Sequence, residues 1–463
     1  MTAKCHLFSY LLFCLPLLLK GQSDSYQYKI DFERKLFGGI PIAANENDDI
    51  FLLLGLPVDS WSYSMVKFPA TNGLCHGYNY TTVDISDAPG YLNGAFRARG
   101  NWIYYTGVEP SNFSHLFALN FETGEYWCKL FFDNPLWTIP IFSFGPDGDL
   151  FALNDIDDGS VSTIYPDHGV VELFRLDSLG NTLWKSGLLF QDTPQGNNLY
   201  PKPRGIKVDA AGNMFISGFF DLINPNNNLG SHFLLKLDTQ GVPESWIKLN
   251  DMAFETAVFT EDAIYLLDKN PYSGIGFITK NKSSAVIAKF DYDFNLLWLK
   301  KYTAENFSYQ DADIAASPSG GLYLTSATEG VYPVILSELD PDGNILSQKG
   351  YAHYSPYVVS FNDGSLGMAS HISVDSLGNP AFRPIVAKTD AQGNIAGCFT
   401  LPTCLEVSDT TVTFGTFHVE PHPVLDLEDF DQFIITPVSY VITPFCDYPP
   451  APMPTFALPD TLC

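Results

Sequence analysis

One phrase recurs seven times in this 463-residue chain, and nothing else constrains the fold as tightly. Its clearest copy, residues 173–184, reads LFRLDSLGNTLW. An alternating apolar run leads to Asp177, a Gly180-Asn181 turn follows, and a second alternating run reaches Trp184. The other copies span residues 65–73, 116–127, 234–246, 287–298, 336–346 and 386–395. The Asp position is held in turn by Pro69, Asn120, Asp177, Asp238, Asp291, Asp340 and Asp390, in steps of 49 to 61 residues. Tryptophan follows at Trp127, Trp184, Trp246 and Trp298. Asp before a glycine turn, between alternating runs, is hairpin chemistry: the carboxylate caps the turn and Gly takes the positive φ that L-residues avoid.

A second phrase precedes each copy, a turn and then an apolar strand. It occupies residues 47–54, 100–106, 147–153, 211–218, 261–267, 320–325 and 363–369. Each unit therefore holds two hairpins, or four strands. A four-stranded unit of about 50 residues cannot bury both faces alone, but several around an axis can. The predicted fold is an all-β propeller over residues 23–400 with seven four-stranded blades. Six or eight blades remain open because the first unit is the most degenerate. A row of two-sheet sandwiches is the competing arrangement, and the unbroken phase of the repeat counts against it.

The flanks read differently. Residues 7–19, LFSYLLFCLPLLL behind Lys4, resemble a secretory signal, so 1–22 is expected to be a leader. Thirteen apolar residues are too few to span a membrane, and no later stretch reaches about 18. Residues 401–463 are Pro-rich and leave the pattern, and are expected to form a small appended module or tether with strand-like runs at 410–419 and 433–442. Six cysteines remain outside the leader: Cys75, Cys128, Cys398, Cys404, Cys446 and Cys463. An even count in a secreted chain suggests disulfides, with 15 pairings open. A formal charge of −27 argues against nucleic acid. A secreted or cell-surface monomer is expected.

The repeated K-x-D-x-x-G-N-x-x-W phrase, joined to the preceding D-G-x-x-Y/F-L strand, resembles secreted repeat propellers of Bacteroidota that accompany type IX secretion or gliding-motility sorting domains. The resemblance covers about residues 30–400, and GCFTLPTC at 397–404 is similar to the segment that follows such propellers. No sorting domain is recognisable. The resemblance implies an extracellular or surface protein without an assigned activity.

Each candidate for chemistry stands beside a plainer reading. The copy at 118–127 looks like a blade of quinone-dependent propellers, but no matching Glu/Asn/Asp set accompanies it, and blade packing explains the tryptophans equally. The sialidase Asp-x-Gly box does not fit Asp-x-x-Gly. Cys398, Cys404, His418 and His422 approach a zinc spacing, yet Pro421 interrupts the helix a finger needs. The acidic runs 154–159 and 291–295 suggest calcium loops without completing the ligand pattern, so solvated turns are preferred. His115, His168, His232, His353 and His371 assemble into no nucleophilic set. Asn79, Asn112, Asn281 and Asn306 fit the glycosylation pattern and matter only in a eukaryotic source. No catalytic, metal or cofactor residue is assigned. The expected function is a non-enzymatic binding or spacing module for protein or glycan. The alternative is a hydrolase or quinoprotein-like oxidoreductase with its site at the axial mouth.

Overall fold

The computed structural model describes residues 26–31, 42–55, 63–68, 81–86, 95–108, 114–131, 140–155, 169–194, 199–221, 231–250, 252, 254–268, 284–303, 307–308, 312–317, 319–328, 334–351, 358–361, 364–376, 379–390, 399–400, 406–422, 427–429, 434–437 and 441–444. Every described element is a strand, and the strands form seven antiparallel sheets. In five of them four consecutive strands run from the inside of the sheet to its outside, and a sixth does the same with two short strands sharing the innermost place. Sheet III is representative: Ile141–Phe144, Leu150–Asp155, Val170–Leu176 and Thr182–Gln191, paired in that order. Sheets I, II, IV, V and VI begin at Ile42–Ala44, Phe96–Arg99, Tyr200–Val208, Thr256–Phe259 and, in VI, the two short strands Phe307–Ser308 and Ile314–Ala316. Sheet VII is made of Val358–Ser360, Leu366–Ser376 and Asn379–Lys388.

The innermost strands of neighbouring sheets lie side by side, and Val358–Ser360 of sheet VII returns to lie beside Ile42–Ala44 of sheet I. This is a β-propeller of four-stranded blades. Alternation along each strand sends side chains to two different neighbours. On sheet II, Ile103, Tyr105, Phe117 and Leu119 pack with Phe51 and Met65 of sheet I. Between them, Tyr104, Leu116 and Ala118 pack with Phe142, Leu150 and Phe174 of sheet III. The same division repeats between sheets III and IV, IV and V, V and VI, and VI and VII. The core is thus a set of wedges between sheets. Each fully buried aromatic in them contributes roughly 1.5–3 kcal/mol of apolar burial.

Both ends of the chain depart from the expected layout. The seventh repeat was expected to form its own hairpin across residues 386–395. Instead Asn379–Lys388 pairs with the N-terminal strand Tyr26–Asp31, which supplies the fourth strand of sheet VII. Residues 401–463 were expected to be a separate module. Strands from this stretch and from Phe399–Thr400 instead add a fifth strand to every sheet. In chain order, Phe399–Thr400, Glu406–Asp409, Thr413–Gly415, His418–His422, Glu428–Asp429, Ile434–Pro437 and Val441–Pro444 pair with sheets VI, V, IV, III, II, I and VII. The tail therefore runs round the outside of the propeller against the order of the sheets. An outer strand with unpaired N–H and C=O groups is a liability, and covering it is the usual remedy. Proline suits such a covering strand, since one of its edges needs no donors.

Candidate functional site

Antiparallel order places the first and third connections of each sheet at one end of the propeller and all the others at the opposite end. Most turns at the first end are alike, the 12 residues between Phe68 and Thr81 of sheet I being the long exception. Five residues separate Ala44 from Ile50, Phe144 from Leu150, Val208 from Met214, Asn120 from Tyr126, Leu176 from Thr182, Leu237 from Pro243, Phe290 from Leu296 and Leu339 from Ile345. At the other end the second connections vary from two residues after Ser376 and five after Val108 to 14 after Asp155 and 15 after Asp268.

The repeated Asp is fully absorbed by the turn end. Asp177 Oδ1 accepts the backbone N–H of Leu179 at 2.9 Å and of Asn181 at 2.8 Å, while Oδ2 accepts the Asn181 side-chain amide at 2.8 Å. Asp238, Asp291 and Asp340 accept the corresponding N–H groups, as does Asp209 in the first hairpin of sheet IV. Slight burial works against ionisation of Asp177, Asp291 and Asp340. The side-chain and backbone hydrogen bonds from the residue four positions on outweigh it and hold these carboxyls below their ordinary range. The acidic run at 291–295 is such a turn, with both carboxylate oxygens of Asp291 facing N–H donors.

The repeated Trp clamps each sheet to the next. Trp127 of sheet II donates its indole N–H to the Ser178 carbonyl in the turn of sheet III. A methyl group on Gly180 would meet the Trp127 ring at 2.8 Å. Trp184 lies against Gly241, and Trp298 against Gly343 with its N–H on the Pro341 carbonyl. The glycines have φ of 81°, 79° and 76°, so both the backbone and the neighbour's ring demand them. Sheet V departs: Phe294 holds the glycine place at φ 64°, and Trp246 donates to the Phe417 carbonyl of the tail.

The axial strands between the two ends carry a different chemistry. Arg97, on the innermost strand of sheet II, is solvent-accessible. Its electrostatic partner is Asp313, which opens the innermost strand of sheet VI on the far side of the axis. Enclosure by protein pushes the guanidinium pKa down and Asp313 pushes it back up. The group stays cationic throughout the working range. Arg204, on the innermost strand of sheet IV, is exposed and sits at a β-bulge between Pro203 and Gly205. Its guanidinium lies 4.8 Å from the centre of the Phe219 ring. Bulges re-aim side chains in this way. Beside it Lys202 pairs with Asp155 at 3.0 Å, and Asn154 donates to Glu172 at 3.1 Å, which accounts for the start of the acidic run 154–159. Residues 156–159 lie outside the described residues.

His115 and His232 occupy equivalent second positions of third strands, both fully buried. His115 meets Tyr105 edge-on at 5.7 Å, and His232 meets Phe254 at 5.2 Å. Burial pushes both imidazoles down to about 3, so they are neutral core groups. His371 lies on a strand of sheet VII, and His168 and His353 lie outside the described residues.

The zinc arrangement is revised. His418 and His422 lie four positions apart on an extended strand, paired with Gln191 and Gly187. At about 3.3 Å per residue that separates them by about 13 Å, too far to share an ion. Cys398, Cys404, Cys75, Cys446 and Cys463 lie outside the described residues, as do Asn79, Asn112, Asn281, Asn306 and Pro69. Cys128 is buried between sheets I and II. Among the described residues no group of three or more His, Cys, Asp or Glu side chains is placed to hold a metal ion, and no helix is long and apolar enough to cross a membrane. Arg97 and Arg204 escaped sequence reading because nothing local marks them. Only the topology brings both to the axial strands, although KPRG at 202–205 held the bulge signal.

No protein-family model matches the chain, and no curated protein is similar to it in sequence. Solved structures align with it only at low likeness. An acylaminoacyl peptidase of Pyrococcus horikoshii aligns over 75% of this chain at 13% identity and TM-score 0.43, and the alignment spans 50% of the peptidase. A protein of unknown function from Dyadobacter fermentans aligns over 79% at 10% identity and TM-score 0.40, covering 99% of its own length. A polysaccharide lyase aligns over 78% at 10% identity and TM-score 0.41, covering 93% of its length.

Proposed function

We propose that the chain is a secreted or cell-surface binding module, that its seven sheets are seven blades of one ring, and that its loop end grips carboxylate- or sulfate-bearing groups of a protein or glycan. The observation carrying this reading is the asymmetry between the ends. Apart from the connection between Phe68 and Thr81, the turn end is built from short, similar turns whose repeated carboxylates cap backbone N–H groups. The other end gathers the long, unequal connections, and the axial strands between the ends carry Arg97 and Arg204. Variable loops on a rigid scaffold are where binding residues concentrate. Arginine offers a planar fork suited to carboxylate and sulfate. The chain's overall charge of −27 repels anions elsewhere, which leaves a local cationic mouth as the selective point.

Titration of the full chain with polygalacturonate, polyglutamate and dextran tests this. Binding of either polyanion, absent for neutral dextran and weakened at least about tenfold by Arg97→Ala and Arg204→Ala, is the expected result; a charge-assisted hydrogen bond contributes about 1.5–3 kcal/mol. Equal binding of dextran, or affinity untouched by both substitutions, would sink the proposal. A second reading, a hydrolase or oxidoreductase at the axial mouth, draws on the facing charges of Arg97 and Asp313. Turnover lost in Asp313→Asn would favour it.

A further inference from the structure

The outer strands from the tail do more than cover edges, because of the order in which they are laid down. Links of only two to five residues join successive tail strands, so each is delivered to the next sheet with little slack. The circuit starts on sheet VI, passes V, IV, III, II and I, and finishes on sheet VII. Sheet VII is where the ring has its seam. Its fourth strand, Tyr26–Asp31, comes from the opposite end of the chain and is joined to the sheet by pairing alone: Tyr26 to Lys388, Gln27 to Ala387, Tyr28 to Val386 and Lys29 to Ile385.

Without the tail this would be a terminal edge strand, the kind of element that opens at little free-energy cost. The last tail strand changes its standing. Val441–Pro444 pairs with the outer side of the N-terminal strand, Tyr28 opposite Pro444, Lys29 opposite Thr443, Ile30 opposite Ile442 and Asp31 opposite Val441. Tyr28 and Lys29 are thereby paired on both sides. The first strand of the propeller is interior to its sheet only while the last strand of the chain lies on it.

We propose that the tail is a strap that latches the ring: its last described strand, Val441–Pro444, sits on the seam, so lifting that strand releases the ring closure before any other sheet. This rests on the closed-ring reading of sheet VII and not on what the loop end binds. The other six sheets draw their four inner strands from consecutive chain and keep them when the strap lifts. The device makes closure of the propeller the last event of folding and the first of opening. A covalent or binding event at the C-terminal end would then act on the seam directly.

Amide hydrogen exchange on full-length variants distinguishes a latch from a passive cover. Ile442→Pro and Thr443→Pro are made in turn, since neighbouring residues of an antiparallel strand point their N–H groups to opposite sides and one of the two faces the N-terminal strand. Thr413→Pro and Phe414→Pro place the same lesion in the strap over sheet IV, where Leu249 faces Phe414 and Asn250 faces Thr413.

The latch predicts that the more damaging of the seam variants lowers protection at least tenfold in residues 26–31 and 379–388. The sheet IV variants should leave those residues at wild-type protection and affect only Pro243–Asn250. Unchanged protection of 26–31 in both seam variants, or an equal loss there in the sheet IV variants, would overturn the proposal. Loss of the whole fold in a seam variant alone would contradict the other six sheets keeping their inner strands. Ile442→Gly, which keeps the N–H, then reads the same two stretches at reduced severity.

Discussion

At the residue scale, one side chain explains the most repeated feature of the sequence. Asp177 takes two backbone N–H groups and one amide, Gly180 supplies the positive φ, and the Trp127 ring rests where a β-carbon would stand. Gly180→Ala should therefore cost about 1–3 kcal/mol through strain and displacement of Trp127. In a Trp127→Ala background the steric part should vanish, and a urea-denaturation cycle across the pair checks this coupling. His115 gives a pH signature. Its folded pKa is about 3 and its unfolded value is near 6.5, so the unfolded chain binds the proton that the fold refuses. Stability should be fully present above about pH 6.5 and fall as pH drops toward 3, by about 1.4 kcal/mol per unit. His115→Phe should remove about half of the loss seen between pH 7.5 and 5, since His232 is lowered in the same way and carries the rest; an unchanged slope would show that His115 does not carry it. The Asp, Gly and Trp roles were legible from sequence because all three act within one hairpin or on its neighbour. Phe294 in a glycine place and the axial positions of Arg97 and Arg204 were not, since they depend on how separate sheets come together around the axis.

At the scale of elements, hairpins were legible and their partners at the two chain ends were not. Alternating runs of six to ten residues between Asp-Gly turns announce themselves, as in Val170–Leu176 and Thr182–Gln191. The tail strands are two to five residues long and carry Pro421, Pro437 and Pro444, so they show neither period nor propensity. They exist because an outer strand offers them a row of partners, which is a tertiary cause. For the same reason the strand-like runs at 410–419 and 433–442 became shorter pieces shared among four sheets. The first turns also break symmetry: in sheet II only two residues separate Arg99 from Trp102, and Glu46 of sheet I reaches over to accept the Gly100 N–H at 2.9 Å. Glu46→Gln should lower the melting temperature only slightly, because this contact is exposed and solvent-screened. A drop above about 4 °C would mean that the turn needs the charge.

For the whole molecule, repetition and individuality fall at opposite ends. Seven near-equivalent sheets, wedged by aromatic clusters and clamped by Trp127, Trp184 and Trp298, form a scaffold in which the capping Asp177, Asp238, Asp291 and Asp340 are structurally employed. The end with unequal connections is left to differ from copy to copy, and the strap returns over the outside to hold the first strand in place. The tail is thus part of the propeller rather than an attachment to it. Native-state amide exchange of the unmodified chain tests this most directly. The account predicts that residues 406–422 exchange with protection approaching that of the strands they cover, Thr182–Gln191, Pro243–Asn250 and Leu296–Thr303. Exchange of 406–422 at the rate of an unstructured peptide, while those three strands stay protected, would contradict it.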